Sequence, residues 1–339
     1  GVDAADFWAQ YDHMYIPELG HNVSVTDYAH TLYIRASWTD FNPQEDVYGW
    51  KIDSNLRAYI EGAYQRNMRL AFRVVVDSRD KRTEFTPQFV KDAGAKGFMN
   101  KGKWSPYSDD SVFQKYYTKF VKALAKDFND PSKVEFIDGF GLGKWGEYHT
   151  MIYSTGDDTP KKAVFDWVTD IYSQAFDKVP VVINYHRWIG AGKDWVDDEH
   201  FAADSEEMLE EAIKKGYSLR HDAFGMTTYY GSWERRFAKK YRNICPIIME
   251  GGWIVKSHSY WQDPRGYRKD SHEDVRRGEF DDSKEAHVNM MDFRFGDTES
   301  WFKDAFDLVR RFLREGGYRL YPSEISLPLE VSKKTTPTI

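Results

Sequence analysis

The chain has 339 residues, 41% of them hydrophobic, which is enough to fill one large barrel or two ordinary domains. A net charge of −7 excludes the basic balance of a general nucleic-acid or membrane-surface binder, and no apolar run reaches the length of a membrane span. The single cysteine, Cys245, excludes an internal disulfide framework and a cysteine-built metal site; it precedes an apolar strand, where a packing residue is expected.

Residues 1–30 are polar and irregular, with one short apolar segment at Tyr15 and Ile16. The first clear strand is Thr31–Ser37, whose alternation sets Tyr33, Arg35 and Ser37 on one face and Leu32, Ile34 and Ala36 on the other. A helix is predicted over Asp53–Asn67, then a strand over Arg69–Val76 that carries Arg73. A long loop, Asp77–Asp110, leads to an amphipathic helix over Ser111–Phe128, with Val112, Tyr116, Phe120, Val121 and Leu124 on one side. The next strand runs into VEFIDGFGLGKWGEYHT, Val134–Thr150, an apolar run that breaks into Gly139, Gly141, Gly143 and Gly146 and presents Trp145, Glu147 and His149.

The alternation then repeats. Helices are predicted over Pro160–Asp177, Ser205–Lys215 and Glu234–Arg242, each followed by a strand: Val179–Asn184, Ser218–Phe224 and the segment ending PIIMEGGW, Pro246–Trp253. That last segment has the form of the Glu147 stretch: a short apolar strand, Glu250 at its end, then glycines and a Trp. A charged loop over Trp253–Lys284, a strand over Ala286–Asp292, a helix over Ser300–Arg314 and a strand over Tyr318–Tyr321 complete the series.

Strand and helix alternate about eight times without a linker, which predicts an α/β fold with a parallel sheet wrapped by helices: a (β/α)8 TIM barrel over residues 31–322. Residues 1–30 form an N-terminal segment that could hold the first barrel strand, and 323–339 a C-terminal extension or linker. A doubly wound open sheet is the alternative, but no P-loop follows a strand.

In a barrel, residues just past the strand C-termini share one rim. That rim would collect Trp38, Asp77, Glu147, His149, Asn184, His186, Arg187, His221 or Asp222, Glu250 and Trp253, with Arg35 and Arg73 pointing inward beneath it. Two carboxylates facing each other across a barrel mouth suit retaining glycoside hydrolysis, in which one attacks the anomeric carbon and the other protonates the leaving oxygen. The pair must differ in proton affinity, and Arg35, Arg73 and His149 are candidate tuners; salt bridging inside the barrel is their structural alternative. NYHRW, Asn184–Trp188, is a further candidate segment, with Asn184 and His186 able to bond sugar hydroxyls. Aromatic residues make up 17% of the chain, including 12 Trp, and rings such as Trp38, Trp145, Trp188 and Trp253 near glycines offer faces for sugars to stack on.

WTDFNPQEDVYGWKID, Trp38–Asp53, resembles the W-x-x-x-x-P-x-x-x-x-Y-x-W/F segment of glycoside hydrolase clan A barrels, notably the family 42 β-galactosidases. WGEYH is similar to the G-E-W-H segment of a group of bacterial barrels that carry a C-terminal β-sandwich. The resemblance spans roughly Leu32–Trp253 and implies that Glu147 is the acid/base and Glu250 the nucleophile, acting on a β-linked, galactose-containing glycan. Arg35, Arg73, Arg79 and Arg187 leave an anionic, sulfated or uronic glycan open. The clan places Asn directly before the acid/base Glu, whereas here that residue is Gly146, so the sugar 2-hydroxyl falls to Asn184 or His186.

The expected partner is a carbohydrate; no cofactor, metal or nucleic acid is expected, and oligomeric state is left open. A secreted or periplasmic location is the expectation, although the numbering opens at Gly1 without a signal peptide. Two competing readings stand beside this one. A metal-dependent sugar isomerase or hydrolase could use Glu147, His149, His186, His221, Asp222 and Glu250, and a non-catalytic glycan-binding barrel would keep only the aromatics.

Overall fold

The computed structural model describes residues 2–192, 199–226, 229–252, 272–293 and 298–316. Seven strands form one sheet in sequential order: Thr31–Ser37 (β1), Arg69–Val75 (β2), Val134–Asp138 (β3), Val181–Asn184 (β4), Ser218–Phe224 (β5), Ile247–Gly251 (β6) and Met290–Asp292 (β7). Every neighbouring pair is parallel. Helices cover one face, so the strands read as nearly continuous apolar runs; in β2 only the first residue is exposed.

Local chemistry sets the helix starts. The Asp53 side chain accepts from the Leu56 amide at the head of Ser54–Gln65, and Asp110 accepts from the Phe113 amide at the head of Ser111–Phe128. The second helix buries Phe113, Tyr117, Phe120, Val121 and Leu124 against the sheet.

The two faces of the sheet differ in kind. Outward residues such as Phe72, Val74, Ile137, Ile183, Leu219 and Met249 join the helices in the main core. Inward residues form a separate apolar floor of Ala71, Phe136, Val182 and Ile248, with Tyr33 and Met290 packed against it, one from each of six strands. Two residues further along those strands the side chains turn polar: Arg35, Arg73, Asp138, Asn184, Glu250 and Asp292. Arg35 on β1 reaches Glu250 on β6 at 2.7 Å, and Arg73 on β2 reaches Asp222 on β5 at 2.5 Å. Strands that distant in sheet order touch only when the sheet curls into a cylinder. The architecture is the α/β (β/α)8 TIM barrel, with seven of its strands among the described residues.

The N-terminal segment takes no place in the sheet. After the helix Ala4–Asp12, the strands Met14–Ile16 and His21–Val23 pair with each other as a separate antiparallel hairpin. The other expected closing strand, Tyr318–Tyr321, lies outside the described residues. Three further expectations change. The loop over Asp77–Asp110 contains the helix Gln88–Asp92 and the hairpin of Gly97–Asn100 with Lys103–Pro106. The stretch His272–Glu285 is helical, and its inner face carries a buried Arg276–Glu279 pair at 2.6 Å, which hides the apolar period. The run Ser300–Arg314 is two helices, Thr298–Asp304 and Phe306–Glu315, broken at Ala305.

Candidate active site

The Glu147 loop is made by backbone that few residues tolerate. β3 ends at Asp138, and the chain then turns through Gly141, Gly143 and Gly146, all at positive φ. At Gly143 (φ +75°) an added Cβ would stand 2.7 Å from the His149 carbonyl oxygen. Three non-glycine residues also adopt left-handed backbone here: Trp145 (φ 59°), Tyr148 (φ 63°) and Thr150 (φ 52°). Each such residue costs on the order of 1–3 kcal/mol and persists only where neighbouring contacts enforce it. Here the Tyr148 amide donates to the Leu142 carbonyl at 2.9 Å, and the Lys144 amide to that of His149 at 3.0 Å.

The strain holds Glu147 opposite Glu250, the fourth residue of β6. Both carboxylates lie on the single guanidinium of Arg35, at 3.8 Å from Glu147 and 2.7 Å from Glu250. Asp222 shares the same guanidinium at 3.3 Å. Arg73 reaches Glu147 at 3.9 Å and binds Asp138 at 2.7 Å. His149 Nε2 lies 3.3 Å from the Glu147 carboxylate.

Beneath them, Arg220 rises from the floor layer with its guanidinium 4.5 Å from the centre of the Tyr33 ring. It pairs with Asp222 at 2.6 Å and Asp292 at 2.7 Å, and also binds Glu250. The Tyr33 hydroxyl donates to Asp138. Arg35 and Arg73 are register partners on adjacent strands, so these shared carboxylates offset the repulsion of two neighbouring cations.

The carboxylates differ in proton affinity. Burial pushes Glu250 up to about 7, with Asp222 and Asp292 acting in the same direction and Arg35 and Arg220 opposing. Burial also works against the charge on Asp222, but Arg220, Arg73 and Arg35 outweigh it and hold that carboxyl well below its usual range. Burial, with His149 nearby, pushes His186 down to about 3, so its ring is neutral.

The other sequence-predicted residues divide by place. Asn184 lies in the lumen, its amide 3.4 Å from Asp222, and its buried carbonyl oxygen has no hydrogen-bond partner among the described residues. Trp145 stays partly exposed, with its ring 5.8 Å from that of His149 and the Lys144 ammonium 4.4 Å from its centre. Trp38 is fully buried on the helix side among Phe89, Phe113, Tyr117 and Phe120, away from the lumen. His221 also faces outward, packed on Tyr185 and Tyr230, and its Nδ1 accepts from the Ala223 amide at 2.9 Å. Arg187 pairs with the buried Glu234 at 2.7 Å and covers Trp188 at 4.0 Å. Trp253 lies outside the described residues.

Sequence reasoning passed over Tyr33, Asp138, Arg220 and Asp292. The signal was present in the alternation: Asp138 ends β3 and Asp292 ends β7, and Arg220 stands two residues before Asp222. Among the described residues, no three His, Cys, Asp or Glu side chains are grouped to hold a metal ion, and no helix is long and apolar enough to cross a membrane.

No protein-family model matches the chain, and no curated protein matches it. Solved structures do. An endo-1,4-β-xylanase from Caldicellulosiruptor owensensis is 12% identical, with 79% of this chain and 78% of that one covered, at a TM-score of 0.46. An exo-β-1,4-mannosidase from Opitutaceae bacterium strain TAV5 is 12% identical over 88% of this chain and 51% of its own length, at 0.48. A glycoside hydrolase family 5 enzyme from Prevotella bryantii B14, crystallised as a mutant with a xyloglucan tetradecasaccharide, is 11% identical over 79% and 76%, at 0.43.

Proposed function

We propose that the chain is a retaining glycoside hydrolase acting on a β-linked, galactose-containing poly- or oligosaccharide, with Glu250 as nucleophile and Glu147 as acid/base. The observation that carries this reading is that Glu147, from the loop after β3, and Glu250, near the end of β6, meet on one Arg35 guanidinium at the barrel mouth. Retaining chemistry needs its two carboxyl groups about 5–5.5 Å apart.

In the first step Glu250 attacks the anomeric carbon as the glycosidic C–O bond breaks, and the Glu147 proton passes to the leaving oxygen. In the second step Glu147 takes a proton from water, which displaces Glu250 from the sugar. Positive charge develops on the ring in both steps. Five carboxyl groups (Glu147, Asp138, Asp222, Glu250 and Asp292) surround three guanidiniums in this lumen, a balance that favours such a transition state.

The same balance argues for a neutral glycan. Arg35, Arg73 and Arg187 are bound to internal carboxylates, and Arg79 to Asp77 at 2.7 Å, so their charge is already answered within the protein. Since Gly146 supplies no side chain before Glu147, the unpartnered carbonyl of Asn184 takes the hydroxyl beside the anomeric carbon. A polysaccharide substrate would place the enzyme outside the cytoplasm, secreted or periplasmic.

The test is a Glu147→Ala variant. Hydrolysis of natural glycan should fall about 10²–10⁴-fold, while azide restores turnover of an activated aryl glycoside. Absence of azide rescue, together with undiminished activity of Glu250→Gln, would discard the mechanism. A panel of plant and algal glycans identifies the sugar.

A further inference from the structure

We propose that His186 is a positioning residue, which fixes the acid/base carboxyl by holding the backbone of Glu147; the inference rests on the role given above to Glu147. His186 stands two residues past the end of β4, 5% exposed. Its Nδ1 lies 3.2 Å from the Trp188 amide nitrogen and accepts that hydrogen, which leaves the ring proton on Nε2. Nε2 then donates to the Glu147 carbonyl at 2.8 Å. Both ring nitrogens are thus committed to protein, and the ring, kept neutral by burial, does not lose its Nδ1 acceptor through protonation near pH 7.

The contact belongs to a larger docking of one loop on another. The Gly190 amide donates to the Tyr148 carbonyl at 2.8 Å, the Met151 amide to that of Ala191 at 2.9 Å, and the Tyr153 hydroxyl to that of Gly190 at 2.7 Å. These bonds hold the flanks of a segment whose Trp145, Tyr148 and Thr150 are in left-handed backbone. His186 supplies the bond to Glu147 itself. Since a strained loop relaxes where its restraint is removed, loss of this bond lets the carboxyl drift from the leaving oxygen, and a misplacement of about 1 Å can cost about 10²-fold in rate.

The test separates positioning from folding by leaving-group dependence. His186→Asn keeps an acceptor for the Trp188 amide but cannot reach Glu147, whereas His186→Gln places an amide donor where Nε2 was. Both are measured, beside Glu147→Ala, on the aryl glycoside series of the sugar that wild type cleaves fastest. Expected for His186→Asn is a loss of about 10²-fold in kcat/KM on a poor leaving group and less than about 3-fold in kcat/KM on dinitrophenolate, which needs no proton in the first step that kcat/KM reports. His186→Gln should stay near wild type on both.

Equal loss on every leaving group, or none on any, overturns the inference. If His186→Asn does not fold, His186→Ala takes its place with the same two outcomes. If Glu147→Ala itself shows no leaving-group dependence, the acid/base assignment fails and takes this inference with it. If Glu147→Ala shows it and His186→Asn does not, only the positioning role falls.

Discussion

Glu250 is the residue whose charge state the surroundings contest most. Burial and the carboxylates of Asp222 and Asp292 raise its proton affinity, while Arg35 and Arg220 lower it. As a nucleophile it must be ionised, so kcat/KM should fall as pH drops through about 7. Asp292→Asn removes one neighbouring negative charge and frees Arg220 for Glu250, and both effects favour the carboxylate. The acid limb of the kcat/KM profile should therefore move to lower pH; an unmoved or upward-shifted limb would refute this account of Glu250. Glu250 and Arg35 were legible in the sequence because each sits where strand alternation meets a rim. Asp292 was not, because a carboxylate closing a three-residue strand looks like any surface turn until its register partner is known to be Glu250. Trp38 misled for the converse reason: an aromatic beside a loop is as well suited to a helix-facing core as to a sugar.

Among the elements, the loop over 139–151 carries the most stored strain, and its glycines are where a substitution should be felt. Gly143→Ala forces a Cβ against the His149 carbonyl and penalises left-handed backbone. It should cost about 1–3 kcal/mol in urea unfolding and lower kcat more than it raises KM, because Glu147 shifts with the loop. Gly156→Ala, also at positive φ but with nothing within 4 Å of the added methyl, is the control: it should cost less stability and leave kcat intact. The glycine cluster announced the loop in the sequence, and the eightfold alternation announced the strands around it. The helix His272–Glu285 was hidden, since Arg276, Glu279 and Asp282 are buried on the inner face that period-seeking expects to be apolar. The hairpin of Gly97–Asn100 with Lys103–Pro106 was hidden by its shortness, two strands of four residues within a long polar connection.

At the scale of the whole molecule, the described strands curl around two storeys of opposite character, an apolar floor and an ionic ring, and Arg220 joins them. Its guanidinium is wholly buried, lies against Tyr33 of the floor and binds Asp222, Glu250 and Asp292 of the ring. Arg220→Leu keeps the floor packed but leaves the buried carboxylates of Asp222 and Glu250 and the partly buried one of Asp292 short of a partner, a loss expected to cost about 3–5 kcal/mol. The sign with pH follows from Asp222. In the wild type its proton affinity is depressed, so it contributes stability above the ordinary carboxylate range, and that contribution is lost as pH falls through its depressed value. In Arg220→Leu the largest depressing partner is gone and ionisation becomes costly. The stability deficit of the variant should be widest at pH 8 and narrow towards pH 4, where protonation relieves the carboxylates that have lost Arg220. Chemical unfolding at both pH values checks it, and a deficit that is constant or grows on acidification would mean that Arg220 stabilises the barrel through packing on Tyr33 rather than through charge.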